Sequence, residues 1–258
     1  MTQSPEYPQY KWIPPRSYTR GRADPPPLWI VIHTTEGSEG PSSAEDGAAY
    51  DQQRKDQVSA HFYVDSSSIV QCVRTADTAH PAAYHGNLYG IHIEVCGRAG
   101  QSAKQWDDAA SRATLVQLSG LCRTLRRKYP MPLVNLTPAQ VRGLNVKGFC
   151  EHKDVTLAWG ESTHTDPGPN FPWSKLFSLI NQGAEDDEMT NGEKWTLHVI
   201  NYRTEGLKAN RATINIPARP DLGPEYKAIT ETNGLAVALA ALSAQLPGAG
   251  AGAVDAIA

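Results

Sequence analysis

Two histidines and one aspartate, in three separated segments, are the residues of this chain whose types point to chemistry. His33 ends the apolar run Leu-Trp-Ile-Val-Ile-His, and small polar residues follow it. His152 lies in Cys-Glu-His-Lys-Asp, and Asp166 lies in Thr-Asp-Pro-Gly-Pro. Two imidazoles and a carboxylate form the ligand set of an open catalytic zinc site, which keeps a fourth position for water or substrate.

The wide spacing of these three residues leaves two interpretations open. No HExxH-type local motif supports a metal site, so the zinc interpretation requires that two strand ends and one loop meet in the fold. The alternative is that the eight histidines of the chain are scattered over core and surface without a common task.

Apolar periodicity predicts the elements that must position these residues. Strands are predicted at 28–33, 60–65, 69–73, 90–95 and about 147–151. Helices are predicted at 43–57, at 103–129, from Pro138 onward and at 174–182. This mixture predicts an α/β fold, in which a mixed central β-sheet of five or six strands is flanked by helices and the zinc site lies at one edge of the sheet.

The strand predicted at 90–95 carries a further carboxylate. Its alternation places three apolar residues on one face, and His92 and Glu94 share the other. We expect His92 to support the site from outside the metal ligands. His61, in the strand predicted at 60–65, is expected to be a packed, hydrogen-bonded core residue rather than a ligand.

Changes in composition along the chain predict four regions. Pro-rich residues 1–27 form an extended N-terminal arm, and residues 28–182 form the catalytic domain. An acidic cluster marks a linker at 183–194. Residues 195–258 are expected to form a small C-terminal α+β extension with a mobile tail, which is a candidate cell-wall-binding or association unit.

The overall composition argues against several classes of function. The net charge of −3 does not favour nucleic acid as a partner, and no run approaches the roughly 18 apolar residues of a membrane helix. The N-terminus lacks the pattern of a signal peptide. The four cysteines stand far apart and are expected to be reduced and mostly buried; they are Cys72, Cys96, Cys122 and Cys150.

Five separated motifs resemble, in their order, the zinc-dependent N-acetylmuramoyl-L-alanine amidases of the amidase-2 and peptidoglycan-recognition-protein superfamily. They are Val31-Ile-His-Thr-Thr-Glu-Gly37, Ser59-Ala-His-Phe62, Gly90-Ile-His-Ile-Glu94, Glu151-His-Lys-Asp154 and Thr165-Asp-Pro-Gly-Pro-Asn-Phe-Pro-Trp173. The segment before them, Ile-Pro-Pro-Arg-Ser-Tyr-Thr-Arg-Gly-Arg at 13–22, resembles the lead-in of bacteriophage endolysins that attack actinobacterial hosts. The resemblance covers roughly residues 13–182.

This resemblance implies a reaction and a set of roles. The reaction is hydrolysis of the amide between N-acetylmuramic acid and the L-alanine of the peptidoglycan stem peptide. His33, His152 and Asp166 match the positions that hold one zinc ion per chain. Glu94 matches the carboxylate that other members direct at the catalytic water, and a strand-end glutamate beside a cation is suited to accept a proton there.

Two positions depart from the family pattern. Where the family often has a lysine two residues before the last ligand, this chain has His164. An imidazolium supplies the same positive hydrogen bond to developing negative charge only while it is protonated, so activity should fall above neutral pH. In the loop that carries Trp-His in the family, Ala-His stands here, and His80 is the candidate substrate contact.

The resemblance is compatible with three hypotheses for the function of the protein. The first is a peptidoglycan hydrolase, most like a phage endolysin for host cell lysis, which is made in the bacterial host cytoplasm without a signal peptide and acts at the cell wall after release. The second is a non-catalytic peptidoglycan-binding module. The third is a cytosolic amidase that recycles muropeptides. The retained ligand set and Glu94 favour an enzyme, because binding alone needs no open metal position.

Overall fold

The structure is a computed structural model, and it describes residues 5–22 and 26–188. The predicted C-terminal region at 195–258, and the part of the predicted linker after Glu188, lie outside the described residues. Within the part that is described, no helix is long and apolar enough to cross a membrane.

Six strands of the described chain form one mixed sheet in the order β1-β4-β3-β5-β2-β6. The strands are β1 (Lys11–Trp12), β2 (Trp29–Thr34), β3 (Phe62–Val64), β4 (Ile69–Gln71), β5 (Gly90–Val95) and β6 (Gly148–Glu151). The β3–β4 pair is antiparallel, whereas the other neighbouring pairs are parallel.

Helices cover both faces of this sheet. They are α1 (Ser43–Gln53), α2 (Ala83–Tyr89), α3 (Ala109–Lys128), α4 (Pro138–Gly143), α5 (His152–Trp159) and α6 (Trp173–Glu188). Helices α3 and α6 share a core cluster with one face of the sheet, whereas α1, α4 and α5 pack with residues of the opposite face. The predicted α/β fold with a mixed central sheet between helices is therefore confirmed.

The main core contains four isoleucines of β2 and β5 and two leucines of α3. They are Ile30, Ile32, Ile91, Ile93, Leu118 and Leu125. Each is fully buried, and burial of an Ile or Leu side chain stabilises the folded state by about 1.5–3 kcal/mol. The four cysteines are free and buried, as predicted.

The strands at the centre of the sheet fix where the functional residues can meet. β5, β2 and β6 are parallel neighbours, so their carboxyl ends lie at the same edge of the sheet. Their register places Glu94 beside His33, and Ile32 beside Glu151. His152 follows Glu151 directly and begins α5.

Two helices are shorter than their sequence pattern indicates. The helix predicted at 103–129 begins only at Ala109, because the side chain of Asp108 accepts a hydrogen bond from the backbone N–H of Ser111 and caps the helix there. Residues 103–107 form turns instead. The helix predicted at 43–57 ends at Gln53 and passes into extended backbone at Arg54.

The sequence pattern does not predict three short elements. β1, α2 and α5 contain two, seven and eight residues, which is too short for a clear periodicity. The closing helix predicted at 174–182 begins at Trp173 and continues to Glu188 as α6, into the first part of the predicted linker.

Candidate metal centre and active site

His33, His152 and Asp166 form one buried cluster at the carboxyl edge of β2 and β6. His33 Nδ1 lies 3.1 Å from His152 Nδ1 and 3.2 Å from Asp166 Oδ2. His152 Nδ1 lies 3.3 Å from Asp166 Oδ1. One ligand atom of each residue lies within 4.8 Å of the other two, and all three side chains are buried.

These separations fit a tetrahedral metal ion. In a tetrahedral zinc site with bonds of 2.0–2.1 Å, neighbouring ligand atoms lie about 3.3 Å apart. The two histidine nitrogens lie 3.1 Å apart, and each lies 3.2–3.3 Å from one of the two carboxylate oxygens of Asp166. Two imidazole nitrogens and a carboxylate oxygen, all facing one point, repel one another as lone-pair donors unless a cation or protons lie between them. The residues therefore fit zinc in both donor type and spacing.

The second nitrogen of each histidine has its own partner. His33 Nε2 lies 3.0 Å from His92 Nδ1, and His152 Nε2 lies 3.2 Å from Ser162 Oγ. Metal-binding histidines normally use the remaining ring nitrogen in this way, because the contact fixes the ring orientation. Ser162 carries no signal in the sequence, since serine is common in loops.

The protonation state of the cluster also suits a cation. Burial raises the pKa of Asp166, but the nearby imidazoles of His152 and His33 outweigh burial and hold this pKa far below its usual range. Burial lowers the pKa of His152. The lowered pKa of the carboxylate and that of the His152 imidazole both favour the deprotonated forms that bind a metal.

The loop that carries Asp166 packs on the backbone of Ala99. Gly168 has a φ of 91°, and a Cβ atom added to it would lie 2.0 Å from the carbonyl oxygen of Ala99. The backbone N–H of Ala99 in turn donates a hydrogen bond of 2.8 Å to Glu36, which follows the strand of His33. The loops after His33 and around Asp166 are thus joined through Ala99.

Glu94 lies on the same edge as the cluster, beside His33 on the neighbouring strand. Its side chain is half-buried. Burial raises the pKa of Glu94 well above its usual value, and the negative charges of Asp166 and Asp51 raise it further. A carboxylate with a raised pKa is a stronger base than a solvated one, so Glu94 is suited to take a proton.

His164 lies over the cluster from the solvent side. Its ring stacks on that of His152, with the centroids 4.5 Å apart and the planes 5° from parallel. His164 Nδ1 lies 3.5 Å from Asp166 Oδ1, and 65% of the side chain is exposed. The structure therefore brings His164 next to the predicted ligands, with enough exposure to meet a substrate.

His80 contacts the N-terminal arm. Its Nε2 lies 2.9 Å from the Thr19 hydroxyl, and its backbone N–H donates to the carbonyl oxygen of Ser59 at 3.2 Å. The side chain is half-buried. The predicted substrate contact of His80 stays a prediction.

Two further histidines lie behind the cluster. His92 and His61 are both fully buried and stack with centroids 5.7 Å apart. His61 Nδ1 accepts the backbone N–H of His92 at 3.0 Å, and His61 Nε2 lies 3.2 Å from the carbonyl oxygen of Asp77. His61 is thus a hydrogen-bonded core residue, as predicted. The contact of His92 with His33 agrees with its expected place outside the ligands.

Comparison with known proteins agrees with this architecture. The family model described as N-acetylmuramoyl-L-alanine amidase matches residues 23–169. N-acetylmuramoyl-L-alanine amidase A of Achromobacter lyticus is 33% identical over an alignment of 184 residues, and the match covers 67% of this chain and 94% of that protein. The crystal structure of Staphylococcus aureus hydrolase AmiA in complex with its ligand has a TM-score of 0.53 at 18% identity, and the match covers 68% of this chain and 83% of that one.

The family match covers more than half of the chain, and the chain spans nearly all of the Achromobacter relative. This chain therefore belongs to the N-acetylmuramoyl-L-alanine amidase family. The family that the five motifs predict is confirmed. The likeness to the Staphylococcus structure, at 18% identity, bears on the fold alone.

Proposed function

We propose that this protein is a zinc-dependent amidase that hydrolyses the bond between N-acetylmuramic acid and L-alanine in peptidoglycan. Family membership supports the amidase activity and peptidoglycan as its substrate. The observation that carries the zinc proposal is the spacing of the ligand atoms: the two Nδ1 atoms lie 3.1 Å apart, and each lies 3.2–3.3 Å from one carboxylate oxygen of Asp166, which is close to the separation of neighbouring ligands around tetrahedral zinc. One ion per chain would be held by His33, His152 and Asp166.

When bound, zinc supplies Lewis acidity to the amide carbonyl and to the attacking water. The chain's own carboxylate manages the proton. Glu94 takes a proton from the water while the oxygen of the water attacks the carbonyl carbon. Glu94 then delivers that proton to the amide nitrogen. The C–N bond breaks, so the products are the carboxylic acid of N-acetylmuramic acid and the amine of L-alanine, and the acid then loses its remaining proton to give the carboxylate. The raised pKa of Glu94 supports this role because the group must gain and lose the proton within one turnover.

His164 is the proposed donor to the carbonyl oxygen as negative charge develops on it. Its exposed ring and its stacking on His152 support this role, since a donor must be positioned before the charge appears. Only the protonated ring brings a positive charge to this contact.

Product analysis tests the proposed reaction. Purified peptidoglycan is incubated with the full-length protein, and new amino groups and new reducing sugars are measured separately. We expect new amino termini on L-alanine without new reducing ends, loss of activity with a chelator, and recovery with zinc. New reducing ends would indicate a glycosidase and overturn the proposal.

We further propose that the protein is an endolysin of a phage with an actinobacterial host, made in the host cytoplasm and acting at the wall after release. Support comes from the lead-in at 13–22, which resembles endolysins of such phages. Turbidity assays on intact actinobacterial walls and on other walls test this role. A protein that cleaves soluble muropeptides but clears none of these walls would be a recycling enzyme instead.

A further inference from the structure

We propose that His92 is a positioning residue that selects the tautomer of His33 and thereby prepares His33 Nδ1 to bind the metal. The proposal rests on the proposed metal site. His92 is fully buried, and its two ring nitrogens face His33 Nε2 and the carbonyl oxygen of Gly86, each at 3.0 Å. Neither partner carries a negative charge, so burial favours the neutral imidazole.

The proton positions follow from the partners. The Gly86 carbonyl can only accept a hydrogen bond, so His92 Nε2 carries the proton. A neutral imidazole has one N–H, which leaves His92 Nδ1 as an acceptor. His33 Nε2, 3.0 Å away, must then donate to it. His33 Nδ1 keeps its lone pair, and this is the nitrogen that faces His152 and Asp166.

A glycine makes room for the His92 ring. A Cβ atom added to Gly90 would lie 2.6 Å from Cε1 and Nε2 of His92, and 2.8 Å from the carbonyl oxygen of Gly86. Such separations are shorter than real Cβ atoms tolerate, so any side chain at residue 90 pushes the ring off its acceptor. Gly90, which leaves room for the ring, and Gly86, which accepts its hydrogen bond, therefore act together with His92 in orienting His33.

The N-terminal arm holds the start of β5, where Gly90 and His92 lie, in place. The guanidinium group of Arg22 donates to the carbonyl oxygens of Gly90 at 2.7 Å and Leu88 at 3.2 Å. The same group also lies 2.7 Å from His61 Nε2, and the His61 ring stacks on His92. Backbone and ring are thus both held where His92 can reach His33.

Nuclear magnetic resonance on the metal-free, full-length protein tests the tautomer directly. The protein is labelled with ¹⁵N in its histidine rings, and the His33 signals are assigned by their loss in His33→Gln. We expect His33 to carry its proton on Nε2 and to have an unprotonated Nδ1. A proton on His33 Nδ1 in the wild-type protein would overturn the proposal, whatever its affinity for zinc.

Three variants test the consequence for metal binding. His92→Phe removes both hydrogen bonds, Gly90→Ala displaces the ring, and His92→Gln keeps one donor and one acceptor. Gly40→Ala is the matched control for Gly90→Ala, because its added Cβ meets nothing within 4 Å.

Zinc affinity is measured by competition with a chelator. We expect His92→Phe and Gly90→Ala to bind zinc about 10- to 100-fold more weakly, as is usual when the partner of a metal-binding histidine is lost, and to show mixed His33 tautomers. His92→Gln should recover most of the affinity, and Gly40→Ala should match the wild type.

Unchanged zinc affinity with an unchanged His33 tautomer, in the variants that fold, would overturn the role of His92. If no variant folds, the tautomer in the wild-type protein decides. A wild-type protein that binds no zinc would contradict the proposed metal site, but the tautomer measurement would still test the His92 device.

Discussion

Substitution of Gly168 by alanine should damage the metal centre through the backbone, without touching any ligand. The new Cβ would lie 2.0 Å from the carbonyl oxygen of Ala99, whereas ordinary contact begins at 3.4 Å. The loop must therefore move by more than 1 Å, two residues from Asp166. Metal–ligand distances tolerate only about 0.2 Å, so the carboxylate should leave its place in the cluster.

The expected magnitude has two parts. An alanine held at a φ of 91° costs about 1–3 kcal/mol of backbone strain, and this loss appears in the metal-free protein. Displacement of Asp166 should weaken zinc binding by about 10- to 100-fold. This loss of affinity lowers the free energy of unfolding of the zinc-loaded protein by roughly a further 1.4–2.8 kcal/mol.

Denaturant unfolding with and without zinc separates these two parts. Gly168→Ala should lose more stability in the presence of zinc than in its absence, and Gly40→Ala should lose little in either condition. Equal losses with and without zinc would show that the Ala99 contact does not position Asp166.

Four other substitutions or truncations test the remaining roles. Glu94→Gln should retain zinc and lose at least about 100-fold in turnover; near-normal turnover would remove Glu94 from the mechanism. His164→Lys should keep activity at higher pH than the wild type, because lysine stays charged where histidine is neutral, and an unchanged pH profile would argue against a charged donor. Arg22→Met should lower the free energy of unfolding by about 3 kcal/mol or more, since each buried carbonyl left without its donor costs about 1–3 kcal/mol; a loss below about 1 kcal/mol would contradict this. A chain ending after Glu188 should bind zinc and cleave soluble muropeptides but act more slowly on intact walls, where a second contact raises local concentration; equal rates on intact walls would exclude a targeting role for 195–258.

The approach of the three predicted ligands follows from features that a sequence displays. His33 lies one residue before the end of an apolar strand, and His152 directly follows another strand. Parallel strands bring such ends to one edge of a sheet, and Asp166 lies in a loop whose proline and glycine restrict its path. Alternation in β5 likewise places Glu94 and His92 on the same face as His33.

The contacts that orient these ligands could not be predicted in the same way. Gly168 packs closely against Ala99, and Gly90 packs closely against His92, because neither glycine has a Cβ atom. In a sequence, the glycine is the only sign of such a close contact, and it does not reveal the partner. The sequence pattern does not predict α5 either, for a different reason. Its start at His152 is capped by Glu151 and Asp154, whereas capping patterns are usually recognised by Ser or Thr.

Anomalous X-ray diffraction at the zinc absorption edge, from crystals of the full-length protein grown with zinc, tests directly whether zinc binds at His33, His152 and Asp166. We expect one strong peak per chain, about 2.0–2.2 Å from His33 Nδ1, His152 Nδ1 and one carboxylate oxygen of Asp166. Asp166→Ala should lose or weaken that peak. A peak at other residues, or no peak in protein that still cleaves peptidoglycan, would contradict a catalytic zinc ion at this cluster.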